Sequence, residues 1–323
     1  MKLQHKIAGT ILLPLAAAAM TTSVQAADVD VYGRIQIHVT ETTPDGGDMD
    51  FSAGGTESRL GFIAKNDSGA KAHIEFDLNG SYKTDGDTTA TTTVSKASTV
   101  KTGEPRLRHA YVTFDGVTVG QTWKPSATTE LLFPALDPNT NALSSAPSTR
   151  AAQVSTKMDL GAGSLTVGAY DAGVTDSAVP GLAAKFVGDM GGLKVVGAFD
   201  MTQDAGDNST DGSTRITGGV VADMSGMTVK GSFTTHSDLY TAFGGSVSLP
   251  MGDGMSFNAA FDQYSPDAAG KDDATAIWAN VKTTTASGVT VGAEYSMLGA
   301  GYGFAAAPAV DTSTIRFMAN YNF

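Results

Sequence analysis

The chain has 323 residues, with 33 Asp and Glu against 21 Lys and Arg for a formal charge of −12, 38 Gly and no Cys. The acidic balance argues against a nucleic-acid partner, which would favour a basic stripe, and the lack of cysteine removes a disulfide-stapled domain. Only 17% of residues are charged, and there is too much patterned apolar content for disorder.

The first segment, MKLQHKIAGTILLPLAAAAMTTSVQA, joins basic Lys2 and Lys6 to an apolar stretch from Ile7 to Met20 and ends in small residues suited to a signal peptidase. It is predicted to be a signal peptide, residues 1–26. A transmembrane helix fits less well, because the run is short of ~20 residues and is interrupted by Pro14. Cleavage after Ala26 leaves 297 residues (323 less 26), with 19 basic residues (21 less Lys2 and Lys6) against 33 acidic ones, a charge of about −14. No later apolar run is long enough to cross a bilayer as a helix. Mean hydropathy is nevertheless near zero, which is how alternating lipid-facing and water-facing positions average out.

From residue 27 the period is two. In DVDVYGRIQIHVT, residues Val29, Val31, Ile35, Ile37 and Val39 share one face, and Arg34, Gln36 and His38 the other. In GAKAHIEFDLNG, Ala70, Ala72, Ile74, Phe76 and Leu78 oppose Lys71, His73, Glu75, Asp77 and Asn79. Strands are predicted to begin near Val29, Ser58, Ala70, Arg106, Val117, Ala152, Ser164, Gly181, Leu193, Thr214, Met227, Leu239, Met255, Thr275, Val289 and Ser313. Short turn signals (NDSG, DLGAG, DMGG, DMSGM, PMGDG) alternate with longer polar stretches such as KTDGDTTATTTVSKASTVKTG, TQDAGDNSTDGST and YSPDAAGKDD. Strands with an apolar outer face can sit against acyl chains only if every backbone N–H and C=O is paired, so the sheet must close. The predicted class is all-β: a transmembrane antiparallel up-and-down barrel of about sixteen strands over residues 27–323. Such a barrel is too wide for side chains to fill, so its interior is water and its charged inward face lines a channel. The last stretch, TIRFMANYNF, ends on an aromatic of the apolar face, Phe323.

Four segments, DVYGRIQIHV, ESRLGFIAKNDSGAKAHIEFDL, PRLRHAYVTFDGVTVGQTWKP and the terminal RFMANYNF, resemble the matching segments of Gram-negative general porins, in the same order. The resemblance covers nearly the whole mature chain and is strongest before Pro125. It implies a sixteen-stranded, usually homotrimeric outer-membrane barrel with the third long loop folded inward to narrow the pore. It also implies that the barrel-assembly machinery reads the C-terminal aromatic, here Phe323.

The third-loop candidate is residues 125–150, PSATTELLFPALDPNTNALSSAPSTR. It lacks period two, and Pro125, Pro134, Pro138 and Pro147 keep it out of a sheet. It departs from the acidic, glycine-bearing signature common in enterobacterial porins, and Glu130 and Asp137 are its only carboxylates. Matched segment by segment, the family's pore-lining cations fall on Arg34, Arg59, Arg108 and Lys157. Period two independently puts Arg34, Arg59 and Lys157 inward. Arg108 shares parity with Ala110, Val112 and Phe114, so either those three face inward or Arg106 and Arg108 lie at the membrane boundary. Cations facing Glu130 and Asp137 across a narrow gap would set up a transverse field that orients dipolar solutes and biases ion selectivity.

Passage of ions and small hydrophilic solutes is then diffusion, and no cofactor or metal is implied. An alternative is a substrate-specific outer-membrane channel with a dedicated lumen site, which a one-signed or aromatic-rich lumen would favour; this lumen is mixed. A barrel enzyme needs a nucleophile with a base in reach, but there is no GxSxG and no Cys, and His38, His73, His109 and His236 are scattered at strand spacing. The acidic stretches PDGGDMD and DAGDNSTDG fail the EF-hand spacing and read as outer loops bridged by divalent ions to lipopolysaccharide.

Overall fold

The structure, a computed structural model, describes residues 28–323 except 55–56, 79, 85–97, 103–104, 137–141, 146–149, 173–178, 203–211, 238 and 304–307. The expected signal peptide and Asp137 lie outside the described residues. In chain order the strands are β1 (Asp28–Pro44), β2 (Asp50–Gly54), β3 (Arg59–Lys65), β4 (Lys71–Asp77), β5 (Gly80–Thr84), β6 (Ser98–Thr102), β7 (Arg106–Phe114), β8 (Val117–Trp123) and β9 (Arg150–Asp159). They continue as β10 (Gly163–Tyr170), β11 (Gly181–Asp189), β12 (Leu193–Met201), β13 (Thr214–Met224), β14 (Met227–His236), β15 (Tyr240–Gly252), β16 (Met255–Pro266), β17 (Ala274–Thr284), β18 (Val289–Leu298) and β19 (Thr312–Asn322).

All but β5 and β6 belong to one antiparallel sheet of 17 strands. β2 and β3 both pair with β1, at Glu41↔Phe51 and Arg34↔Arg59, and so form one interrupted stave. The barrel therefore has sixteen staves (17 less one). It closes where β1 meets β19, from Arg34↔Asn322 to Pro44↔Thr312. Sheet closure satisfies the ladder without leaving an edge in lipid. β5 and β6 form a separate hairpin within a stretch that the sequence presents as a polar loop.

The burial pattern is inverted relative to a water-facing domain. Val29, Val31, Ile35 and Ile37 are each more than half exposed, whereas Gln36 and His38, of the opposite parity, are buried. Outward apolar rows and inward polar rows follow from period two, with lipid as the outer solvent. Asp115–Gly116, Ser225–Gly226 and Asp253–Gly254 have positive φ at both residues, the geometry of two-residue hairpin turns whose twist matches that of the strands. Both chain termini of the barrel lie at the short-turn end.

Phe323 completes the closure. Its N–H donates to Gly33 O at 3.0 Å and its carbonyl accepts from Gly33 N at 2.8 Å. Its ring covers Gly33 so closely that a Cβ there would stand 2.3 Å from a ring carbon, and Tyr321 stacks beside it.

An apolar core exists, but on the inward face. Phe133, Ala142 and Leu143, from the segment between β8 and β9, cluster with Tyr240, Ala242, Tyr264, Ala276, Trp278 and Tyr302, all buried. Leu131 forms a second cluster with Val196 and Val221. The inner wall is therefore not uniformly charged: from β12 to β17 much of it is Ala, Val and aromatic.

Candidate functional site

The inward face divides into two walls. The first spans β1 to β9 and carries an ion-pair network. The Arg59 guanidinium lies 3.0 Å from Glu57 and 3.6 Å from Glu75. Arg108 donates through Nε to Glu75 at 2.7 Å and through Nη1 to Asp77 at 2.8 Å, and Arg106 Nε donates to Asp77 at 2.9 Å. Arg34 bonds Gln36. Arg150 lies 3.6 Å over the Trp123 ring and donates to His109 Nε2 at 3.3 Å. Five arginines thus accompany three carboxylates in this network.

Arg108 reaches the network through a β-bulge. Between β4 and β7, Phe76 pairs with Leu107 but Glu75 pairs with His109, so Arg108 is the extra residue. A bulge sends two successive side chains to one side, and Arg108 and His109 are both buried. Neither sequence alternative for Arg108 holds: Ala110, Val112 and Phe114 pair on the apolar side of the ladder, and Arg108 is not at a boundary but inside the network. The carbonyl of Leu107, displaced by the bulge, accepts instead from Gln121 Nε2 at 2.8 Å.

Two further expectations are corrected. Lys157 stands near the short-turn end, exposed, and lines one recess with Asp159 and Asp189 and another with loop residues Pro125, Ala127 and Thr129, so it lies apart from the arginine network and, among the described residues, joins none of its ion pairs. Glu130 accepts from Lys185 Nζ at 3.0 Å, so the loop carboxylate is neutralised locally instead of facing the arginines. The acids that do face them are Glu57, Glu75 and Asp77. The last two show in the sequence as alternating members of β4, but their partners become visible only once β7 is laid beside them.

The second wall, β10 to β19, is met by the segment after β8. Ser126 Oγ donates to Asp200 at 2.6 Å, and Lys185 Nζ to Ala127 O at 2.7 Å. Lys230 Nζ caps Glu130 O at 3.0 Å and Leu132 O at 2.7 Å. Asn280 donates to Pro134 O at 2.9 Å, and Leu136 N donates to Glu294 at 2.7 Å. Gln36, on β1, reaches Leu136 O at 3.5 Å. The returning arm is held by Asp262, which accepts from Leu143 N at 2.8 Å, from Ser144 N at 3.3 Å and from the Tyr302 hydroxyl at 2.6 Å. Burial, and next to it the Asp262 carboxylate, raises the Tyr302 phenol above its usual range, so it remains a proton donor. Where the apolar loop residues press on the wall the wall is glycine: a Cβ at Gly219 would meet Leu131 at 2.7 Å, and one at Gly292 would meet Leu136 at 3.0 Å. Sequence reasoning missed Asp200, Asp262 and Glu294, single carboxylates among small residues with no motif around them.

These features define a transmembrane antiparallel β-barrel whose inner face carries an arginine–carboxylate network. The chain belongs to the Gram-negative porin family, whose model matches residues 15–323. It is a multi-pass outer-membrane protein and a passive-diffusion channel. Among solved structures it is similar to the outer-membrane channel DcaP of Acinetobacter baumannii, with 18% identity, a TM-score of 0.73, and 94% of this chain and 99% of that one covered. Salmonella typhi OmpF in complex with daunomycin has 11% identity and a TM-score of 0.67 over 92% and 98%. The trimer form of in-vitro folded OmpT of Vibrio cholerae has 14% identity and a TM-score of 0.59 over 93% and 100%. At these identities the shared property is the fold. Among curated proteins, none matches the chain by sequence.

Proposed function

We propose that the barrel passes ions and small hydrophilic solutes by diffusion through a lumen narrowed by the segment after β8, whose described residues 125–136 and 142–145 bond to groups of the second wall. The observation that carries this reading is the run of loop contacts from Asp200 to Gln36, which leaves Arg59, Arg106 and Arg108 paired to the carboxylates of their own wall. Solutes then pass between a wall whose five networked arginines outnumber their three carboxylates and a loop whose own Glu130 is paired to Lys185. The field differs from one with opposed free charges: anions are favoured along β1 to β9, and the loop face contributes shape and backbone carbonyls. Diffusion needs no chemical step, so the histidines and carboxylates act as a polar lining and not as catalysts.

The chain is proposed to be exported by its first 26 residues and folded by the barrel-assembly machinery through Phe323. It is proposed to work as a homotrimer in contact with lipid and lipopolysaccharide. OmpT of Vibrio cholerae is described in a trimer form, which supports the last point.

Reversal potentials in planar bilayers under a salt gradient test the lumen assignment. Neutralising Arg59 and Arg108 to Gln leaves three carboxylates against three arginines and should raise the cation-to-anion permeability ratio. The shift should shrink near ~1 M salt, where screening acts over ~3 Å. Unchanged reversal potentials would remove the arginine wall from the permeation path.

A further inference from the structure

A recess of about 390 Å³ lies beneath loop residues Ala135 and Leu136, on the short-turn side of their contact with the second wall, and Arg34, Lys282, Ser256, Thr290 and Asn320 line it. No carboxylate is among its lining residues. Strand register explains how separate segments build it. Gln36, Asn320, Thr290 and Thr284 form one row across β1, β19, β18 and β17. The next row is His38, Met318, Gly292 and Lys282. Arg34 stands on the other side of the first row, opposite Asn322. Two cations therefore flank a row of hydroxyl and amide groups.

The nearest carboxylates are already engaged. Glu57 pairs with Arg59, and Glu294 accepts from Arg316, Asn280 and the loop N–H of Leu136. Neither Arg34 nor Lys282 makes an ion pair among the described residues. Arg34 Nε and Asn320 Oδ1 are buried without a hydrogen-bond partner. A buried polar group normally finds a partner, and Asn320 can turn its amide to present N–H groups instead of oxygen. Guanidinium, ammonium, amide and hydroxyl donors lining one recess without an acid match a tetrahedral oxyanion with several acceptor oxygens.

We propose that this recess is a binding site for a phosphate group, held between Arg34 and Lys282, which retards phosphate and phosphate monoesters as they pass. The proposal rests on the channel reading and deepens it. The site occupies the region next to the loop anchor, so a bound anion would add negative charge beside Arg34 and reduce chloride flow.

The test is single-channel current of the full chain in KCl while inorganic phosphate, and in a separate arm glycerol phosphate, is titrated in. Wild-type current should fall to a plateau, with a half-effect concentration that defines the site. Lys282→Gln and Arg34→Gln should each raise that concentration about tenfold, the change expected from losing one charge-assisted hydrogen bond. Lys71→Gln, a lumen cation on β4 outside the recess, should leave it unchanged. A plateau with inorganic phosphate but not with the ester assigns the site to the free anion, and a plateau with both extends it to monoesters. Normal KCl current with a phosphate effect that never saturates, or that is the same in Lys282→Gln, overturns the site and leaves the channel standing. Absence of KCl current from correctly folded wild-type protein overturns the channel itself.

Discussion

Replacing Asp262 by Ala should release the returning arm of the loop, residues 142–145, while leaving the barrel closed. The carboxylate accepts two short hydrogen bonds, from Leu143 N at 2.8 Å and Tyr302 Oη at 2.6 Å, and a longer one from Ser144 N at 3.3 Å. Each buried donor left without a partner costs ~1–3 kcal/mol. Leu143 N also lies 3.2 Å from Tyr302 Oη, so one bond can re-form in part, and the net loss is taken as ~2–4 kcal/mol. That corresponds to a roughly 30- to 1,000-fold shift toward the undocked arm. The outgoing arm keeps its own anchors, Lys230 at 2.7 Å from Leu132 O and Glu294 at 2.7 Å from Leu136 N, so the loop should loosen at one end and not leave the wall. Single-channel recording should show larger open-channel noise and a higher mean conductance. Protease added from the long-loop side should cut within the released arm, residues 142–145. Asp262→Asn, which keeps one acceptor oxygen, should lie between wild type and Ala. Wild-type noise, conductance and protease resistance in folded Asp262→Ala would refute the idea that this carboxylate seats the loop.

Gln121→Leu should remove the donor that the Leu107 carbonyl finds at the bulge, an exposed hydrogen bond worth ~0.5–1.5 kcal/mol. The temperature of unfolding in detergent should fall with little change in ion selectivity. Deleting Phe323, or introducing Gly33→Val against its ring, should lower the folded amount in the outer membrane while synthesis and export continue. Normal folded yield in both would show the terminal ring to be one lipid-side residue among many. Unboiled protein should migrate on gels as a heat-labile trimer, and a single-chain band in mild detergent would count against trimerisation alone.

What the sequence determined by itself is the barrel. Period two, in rows such as Val29, Val31, Ile35 and Ile37, and the alternation of short turns with longer loops are local properties of the sequence. A closed sheet is the one way to pair such strands in lipid. The strand starts read from sequence agree to within about two residues at every stave but the second, which begins early as β2 at Asp50. Parity also put Arg34 and Arg59 on the inward face.

Only the tertiary structure decided what those side chains meet. One extra residue at Arg108 reverses parity along β7, and no alternation rule counts a bulge before the partner strand is known. The pairing of Arg59 and Arg108 with Glu57, Glu75 and Asp77 joins residues from β3, β4 and β7 and the turn before β3. It depends on register, because a slip of one residue would send each of these side chains to the other face. The placement of Glu130 beside Lys185, and the apolar inner surface of Tyr240, Ala276 and Trp278, arise because a long segment packs against strands 55 to 158 residues away in the chain. That contact turns inward positions from water-facing to buried, and the period of the strands is the same in either case.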